Sequence, residues 1–180
     1  MYFPTERFPK GGILSQQLND LQVGQQVRIS IPPAKYTFLG HGKFRFNESG
    51  VIRKYSKFSM ACGGSGITPM YQFITHALDD QTQYNLFLLF ANKSESDIVL
   101  REELDALHAT RKVMVSYTLD KGSEGWKGYT GFVNEVMLRE SFPVPSDDHL
   151  LLICGPPLMV RDILAVAAKL GHSENNIAVY

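Results

Sequence analysis

Two short, nearly unbroken apolar runs constrain this chain more than any other feature: Tyr84–Ala91 (Tyr-Asn-Leu-Phe-Leu-Leu-Phe-Ala) and His149–Cys154 (His-Leu-Leu-Leu-Ile-Cys). Runs of this length without polar alternation read as strands buried on both faces. A third apolar run, Lys57–Cys62, ends in Gly63-Gly64-Ser65-Gly66, and Pro69 then opens a helical stretch to about Leu78. Ser94-Glu-Ser-Asp97 has capping-box spacing, and Leu100, Leu104 and Leu107 behind it share one helical face. Lys112–Leu119 reads as a strand ending at Asp120, followed by a Gly/Lys/Trp-rich loop, a short helix near 134–141 and a Pro-rich turn. The helix after Cys154 runs to Leu170, with Gly171 as its C-terminal stop, and 176–180 reads as a last strand. Doubly buried strands alternating with helices predict an α/β fold, a doubly wound parallel sheet over residues 57–180.

The N-terminal part differs. Val27–Ile31 alternates like a strand, 15–21 reads as a short helix after Gly11-Gly12, and Lys43–Phe46 is another brief strand. Two or three small strands cannot bury a sheet face alone, so 1–50 reads as an incomplete β domain ahead of the α/β domain. No apolar run reaches the roughly 18 residues a membrane helix needs, and the start lacks the pattern of a signal peptide. Cys62 and Cys154 are too few for a disulfide framework or a zinc site, and they fit a reducing compartment. The expectation is a cytoplasmic location, or the cytoplasmic face of a membrane if an anchor lies upstream, and no nucleic-acid partner. Net charge is zero, yet residues 1–60 hold nine Lys/Arg against three Asp/Glu, and the rest nine against fifteen. The basic segment suits an acidic partner; drift in surface charge is the alternative.

In open α/β sheets ligands sit at the carboxyl ends of the strands. That rule selects Gly63–Thr68, Asn92, Asp120 and Cys154–Pro157. Glycines let backbone approach a ligand closely. Thr68 is a candidate N-cap with Pro69 at the first helical position, and such a helix start suits a pyrophosphate; a structural turn is the alternative. No Gly-Lys-Ser/Thr follows, which disfavours a P-loop NTPase. Asn92 stands where an acidic ribose ligand usually lies, and Asp120 closes the next strand instead. A carboxylate there can take both hydroxyls of an adenosine ribose and would repel a 2′-phosphate, which favours NADH over NADPH if the site is a dinucleotide site; a turn-forming Asp is the alternative. Cys154 has no base or orienting group arranged for nucleophilic work, so it reads as lining a pocket or as a buried strand-end thiol. Trp126 and Phe132 either stack on a base or cover the core. The five histidines show no metal spacing.

Cys62-Gly-Gly-Ser-Gly-Ile-Thr-Pro-Met70, Leu89-Phe-Ala-Asn92 with Asp97–Leu104, Tyr117-Thr-Leu-Asp120, Gly131-Phe-Val-Asn-Glu135 and Cys154-Gly-Pro-Pro157 occur in one order. In these motifs the chain resembles the cytochrome b5 reductases and the matching module of eukaryotic nitrate reductases, within the ferredoxin–NADP reductase superfamily. Gly11-Gly-Ile-Leu-Ser15 resembles that family's flavin-pyrophosphate motif, with Leu14 where methionine is usual. The family's Arg-x-Tyr-Ser/Thr flavin motif has no copy here, Pro4 stands in place of a lysine, and Ile31-Pro-Pro-Ala34 replaces a glycine-containing turn. The resemblance therefore implies an NADH-binding domain behind an N-terminally shortened flavin barrel.

It further implies that Gly63, Gly64, Ser65 and Gly66 lie against the NADH pyrophosphate and nicotinamide. Thr68 would act near the flavin ring, Asp120 would hold the ribose, and Phe132 would lie by the adenine. Cys154 would position the nicotinamide, with Gly155, Pro156 and Met159 around it, and Gly11, Gly12, Leu14 and Ser15 would bind FAD phosphates. The implied activity is hydride transfer from NADH to FAD, then single electrons to an acidic haem protein, cytochrome b5 or a fused haem domain. A nitrate reductase module and a non-catalytic NADH-binding module are the alternatives.

Overall fold

The computed structural model describes residue 9, residues 11–30 and residues 32–180. The chain divides into two compact units, Met1–Pro33 and Ala34–Tyr180. In the first, Gly11 adopts φ 70° and Gly12 caps helix α1 (Ile13–Asn19) without a side-chain hydrogen bond. A turn follows, in which the Gln22 N–H donates to Gln25 Oε1 at 2.8 Å. The strand expected at Val27–Ile31 does not form over 27–30, and Ile31 lies outside the described residues. Val27 and Ile29 are exposed: alternation makes a strand only where a neighbouring strand and a core receive it.

The second unit opens with three antiparallel strands in sequential order, β1 (Tyr36–Phe38), β2 (Lys43–Phe46) and β3 (Val51–Lys54). Only β2 was legible as a strand. Its inward Phe44 is fully buried, and Phe38 meets Phe73 and Phe58 edge-on at 5.1 and 6.2 Å, which ties the small sheet to the main core.

The remaining elements build a parallel sheet with helices: β4 (Lys57–Gly63), α2 (Ile67–Asp79), β5 (Asn85–Asn92), α3 (Arg101–Ala109), β6 (Met114–Leu119), β7 (Tyr129–Thr130), α4 (Glu135–Ser141), β8 (His149–Cys154), α5 (Pro157–Leu170) and β9 (Ile177–Val179). Strand order is β7-β6-β5-β4-β8-β9, all parallel. The order runs one way from β4 to β7 and then reverses through β8 and β9, so a topological switch point lies between β4 and β8. Leu88, Phe90, Leu150 and Leu152 face one core; Leu89, Leu151 and Ile153 face the other. The apolar runs that seemed to demand burial on both faces receive it.

Helix ends follow local chemistry. Asn134 Oδ1 accepts the Met137 N–H at 3.2 Å to start α4, and Gly171 ends α5 at φ 90°. The Ser94–Asp97 capping box is present but caps one turn at Glu95–Asp97, not α3. Leu100, at φ 58°, interrupts the chain before α3 begins. Among the described residues no helix is long and apolar enough to cross a membrane.

The amino end of the sheet is polar. His149 is fully buried, its Nε2 lies 2.8 Å from Ser59 Oγ, and its ring meets that of His172 at 5.1 Å. Burial, helped by His172 and Lys57, holds His149 down at about 4. The unfolded chain takes up this proton near pH 6.5 and the folded one does not until about 4. Stability is therefore full above the unfolded value and falls as pH drops through that window, by about 3 kcal/mol in all. Denaturant titrations from pH 7.5 to 4 are expected to show this loss, and His149→Gln is expected to flatten it.

Candidate functional site

The glycine turn after β4 is shaped by what it must approach. A Cβ on Gly66 would stand 2.2 Å from the Cys154 carbonyl oxygen and 3.3 Å from its Sγ. One on Gly63 would stand 2.7 Å from Met159 Sδ, and one on Gly155 3.0 Å from the same atom. Gly63, Gly66, Cys154, Gly155, Pro156 and Met159 are thus in one place, at the carboxyl ends of β4 and β8. Gly64, at φ 53°, and Ser65 are exposed on its rim.

The helix start differs from the expected one in a useful way. Thr68 is not the N-cap; Gly66 is, and Thr68 and Pro69 lie within the first turn of α2. A 3₁₀ turn, Gly64–Gly66, runs directly into the helix, and the Thr68 hydroxyl donates to the Ser65 carbonyl at 3.0 Å. The amide donors left over at a helical start therefore fall on Gly64, Ser65 and Gly66, of which Gly64 and Ser65 are exposed and Gly66 is buried.

At the next strand tip Asn92 is 7% exposed, and neither its Oδ1 nor its Nδ2 has a partner among the described residues. A buried amide without partners is costly, and here it sits between the glycine turn and Asp120. Its backbone carbonyl accepts the Asp120 N–H at 3.0 Å. The Asp120 side chain is exposed and makes no ion pair among the described residues. The chain then leaves β6 and returns: Gly131 N–H donates to Leu119 O at 2.8 Å, and Thr118 Oγ1 donates to Gly131 O at 2.7 Å. These bonds bring Phe132, 83% exposed, to the strand tip that carries Asp120. Two strand spacings, about 10 Å, separate the tips of β4 and β6, a span suited to the two halves of a dinucleotide.

Burial pushes the Cys154 thiol up and the Cys62 thiol well up, so neither is a ready thiolate. His149, at the opposite end of β8, is no base for Cys154. In the first unit Gly11 and Gly12 form the turn into α1, Leu14 is exposed, and the Ser15 side chain lies outside the described residues. No group of three or more His, Cys, Asp or Glu able to hold a metal occurs among the described residues. Trp126 is not presented as a base-stacking platform. It is half-buried, donates from Nε1 to Tyr129 O at 2.8 Å, and lies under Arg101 beside a cavity of about 600 Å³ on the outer side of β6. No single-residue pattern in the sequence points to that cluster, because it joins three separate segments.

Comparisons with known proteins identify the family. Residues 60–164 match the family described as Oxidoreductase NAD-binding domain. The chain belongs to that family. It is 42% identical to a nitrate reductase [NADH] 1 of Zea mays, over 99% of this chain and 30% of the maize protein. It is 38% identical to NADH-cytochrome b5 reductase 2 of Danio rerio, over 96% of this chain and 59% of the fish protein. The cytochrome b5 reductase domain of Ulva prolifera nitrate reductase superposes with a TM-score of 0.91 at 29% identity, over all of this chain and 71% of that one. The chain is thus homologous to the reductase module of cytochrome b5 reductases and nitrate reductases, mainly its NAD-binding region, and spans under two thirds of these curated relatives.

Gly66→Ala tests the turn. Its methyl meets backbone, which cannot give, so a loss of about 1–3 kcal/mol in stability is expected, together with weakened nucleotide binding. Thermal melts and an NADH titration measure both.

Proposed function

We propose that residues 57–180 form the NADH-binding domain of an FAD-dependent reductase, and that residues 1–50 belong to its flavin domain. The observation that carries this reading is the contact of Gly66 with the Cys154 carbonyl at the switch point, which gathers amide donors, a neutral thiol and open strand tips.

The site fits NADH on its own chemistry. The amides of Gly64, Ser65 and Gly66, at the positive end of α2, would hold the pyrophosphate. The orphaned Asn92 amide has unspent donors and an acceptor beside them. Asp120 would accept the two hydroxyls of the adenosine ribose, and Phe132 would lie by the adenine. Cys154, with Pro156 and Met159, would hold the nicotinamide. A neutral thiol suits that position, since a thiolate would attack an oxidised nicotinamide ring. NADH supplies a hydride when bound; the protein's part is alignment and exclusion of water.

The described residues of the first unit do not by themselves fit a flavin. They offer one glycine turn, a seven-residue helix and an irregular segment. The FAD in this reading, with Thr68 acting near the flavin ring and Gly11, Gly12, Leu14 and Ser15 on its phosphates, rests on the family. So does the acceptor, an acidic haem protein such as cytochrome b5 or a fused haem domain; a nitrate reductase module is the close alternative. The exposed basic residues Lys43, Arg45 and Lys54 support an acidic acceptor.

The purified chain is expected to bind NADH more tightly than NADPH. Asp120→Ala is expected to weaken NADH roughly tenfold, the scale of a lost hydrogen bond to a charged group, and to narrow the preference. An unchanged preference would remove Asp120 from the ribose role. A flavin spectrum and NADH-driven ferricyanide reduction test the enzyme reading. A colourless protein that binds NADH and reduces nothing would make this chain a nucleotide-binding module only.

A further inference from the structure

We propose that Arg101 is a positioning residue for the adenosine half of the nucleotide site, acting through the loop 121–130 without touching the ligand. The inference rests on the NADH reading above.

The loop is built around the indole of Trp126, the sole tryptophan of the chain. A Cβ on Gly128 would stand 2.5 Å from Trp126 Cζ2, and one on Gly122 would stand 3.0 Å from its Cδ1. The indole is therefore wedged between two glycines, and its Nε1 ties it to Tyr129 O, where the loop rejoins the sheet. What fixes this assembly to the domain is Arg101, at the start of α3. Its guanidinium carbon lies 5.6 Å from the Trp126 ring centroid and 5.2 Å from that of Tyr117. Its Nε donates to Asp105 at 3.1 Å and its Nη1 to Glu95 at 3.3 Å. Glu95 then uses its other oxygen to accept the Ser123 hydroxyl at 2.7 Å, while Tyr117 Oη donates to Asp105 at 2.8 Å.

One planar cation thus joins the 95–97 turn, α3, β6 and the loop. Exposed ion pairs contribute little stability alone; a guanidinium that forks to two carboxylates and stacks on two rings fixes geometry. The loop it fixes begins immediately after Asp120 and ends immediately before Gly131-Phe132. Both residues assigned to the adenosine side are therefore the two ends of the segment that Arg101 holds. The nicotinamide side, at Gly63–Gly66 and Cys154, belongs to other strand tips and is not attached to it.

The test compares two fragments of NADH on the full chain, 5′-AMP and reduced nicotinamide mononucleotide, with Trp126 emission and NADH competition as readouts. Lysine keeps the charge but cannot fork or stack. Arg101→Lys is expected to weaken AMP about tenfold and leave the nicotinamide fragment unchanged, with Trp126 emission shifted to the red in the free protein. Ser123→Ala removes only one exposed hydroxyl, so folding is preserved; it is expected to weaken AMP about threefold. Equal weakening of both fragments, or AMP binding like wild type in the Ser123→Ala protein, overturns the positioning role. Failure of the wild-type chain to bind NADH or AMP at all overturns the functional reading instead.

Discussion

The approach of the Gly66 backbone to the Cys154 carbonyl is the contact on which the rest of the site depends. Any Cβ at 66 would lie 2.2 Å from that oxygen, so α2 can start where it does only with glycine there. Because α2 starts there, its unused amides fall on Gly64–Gly66, over the gap where the crossovers from β4 and β8 part. Met159, from the first turns of α5, closes against Gly63 and Gly155 on the other side. One close contact between two strand tips thus aims one helix start, packs the opening turns of another against it, and fixes the floor between them.

Much of this was legible in the residues. Strands buried on both faces announce themselves because each position must be apolar; His149–Cys154 and the end of α5 at Gly171 fall where the sequence places them. The strand tips were legible for a related reason: Gly63–Gly66, Asn92, Asp120 and Cys154–Pro157 close or directly follow the strands, where the candidate site was sought. What was not legible depends on geometry rather than composition. Thr68 has the chemistry of a cap, yet the 3₁₀ turn extends the helical path backward and gives the cap to Gly66. The Ser94 box caps what its spacing promises, but Leu100 at positive φ separates it from α3. Strands β1, β3 and β7 carry two to four residues each and no apolar run; they exist because a neighbour offers pairing.

The two ends of the sheet divide the work. At the amino end Ser56, Lys57, Ser146 and Asp148 form a hydrogen-bonded cluster around the strand starts, and these bonds hold the Asp148 carboxyl well below the usual range. The polar groups there are largely satisfied by one another, although His149 and His172 each leave Nδ1 without a partner among the described residues. At the carboxyl end, among the described residues, the whole Asn92 amide is without a partner and Asp120 is exposed and makes no ion pair. Polar groups left open at one end, and mostly matched at the other, fit the proposal that ligand binding belongs to the carboxyl edge and cohesion to the amino edge.

The same reasoning bears on the basic hairpin. In β2 and β3, Lys43 lies opposite Lys54 and Arg45 opposite Ile52 on the outer face, while Phe44 turns inward and is fully buried. Like charges directly opposite one another are unfavourable in a sheet, and nothing in the packing asks for them. The hairpin tolerates them because Phe44 anchors it in the aromatic cluster with Tyr36, Phe46 and Phe73. A repulsive pair kept on a strand whose inner face is secured elsewhere fits the acidic partner proposed above, since opposite charge across an interface would relieve it.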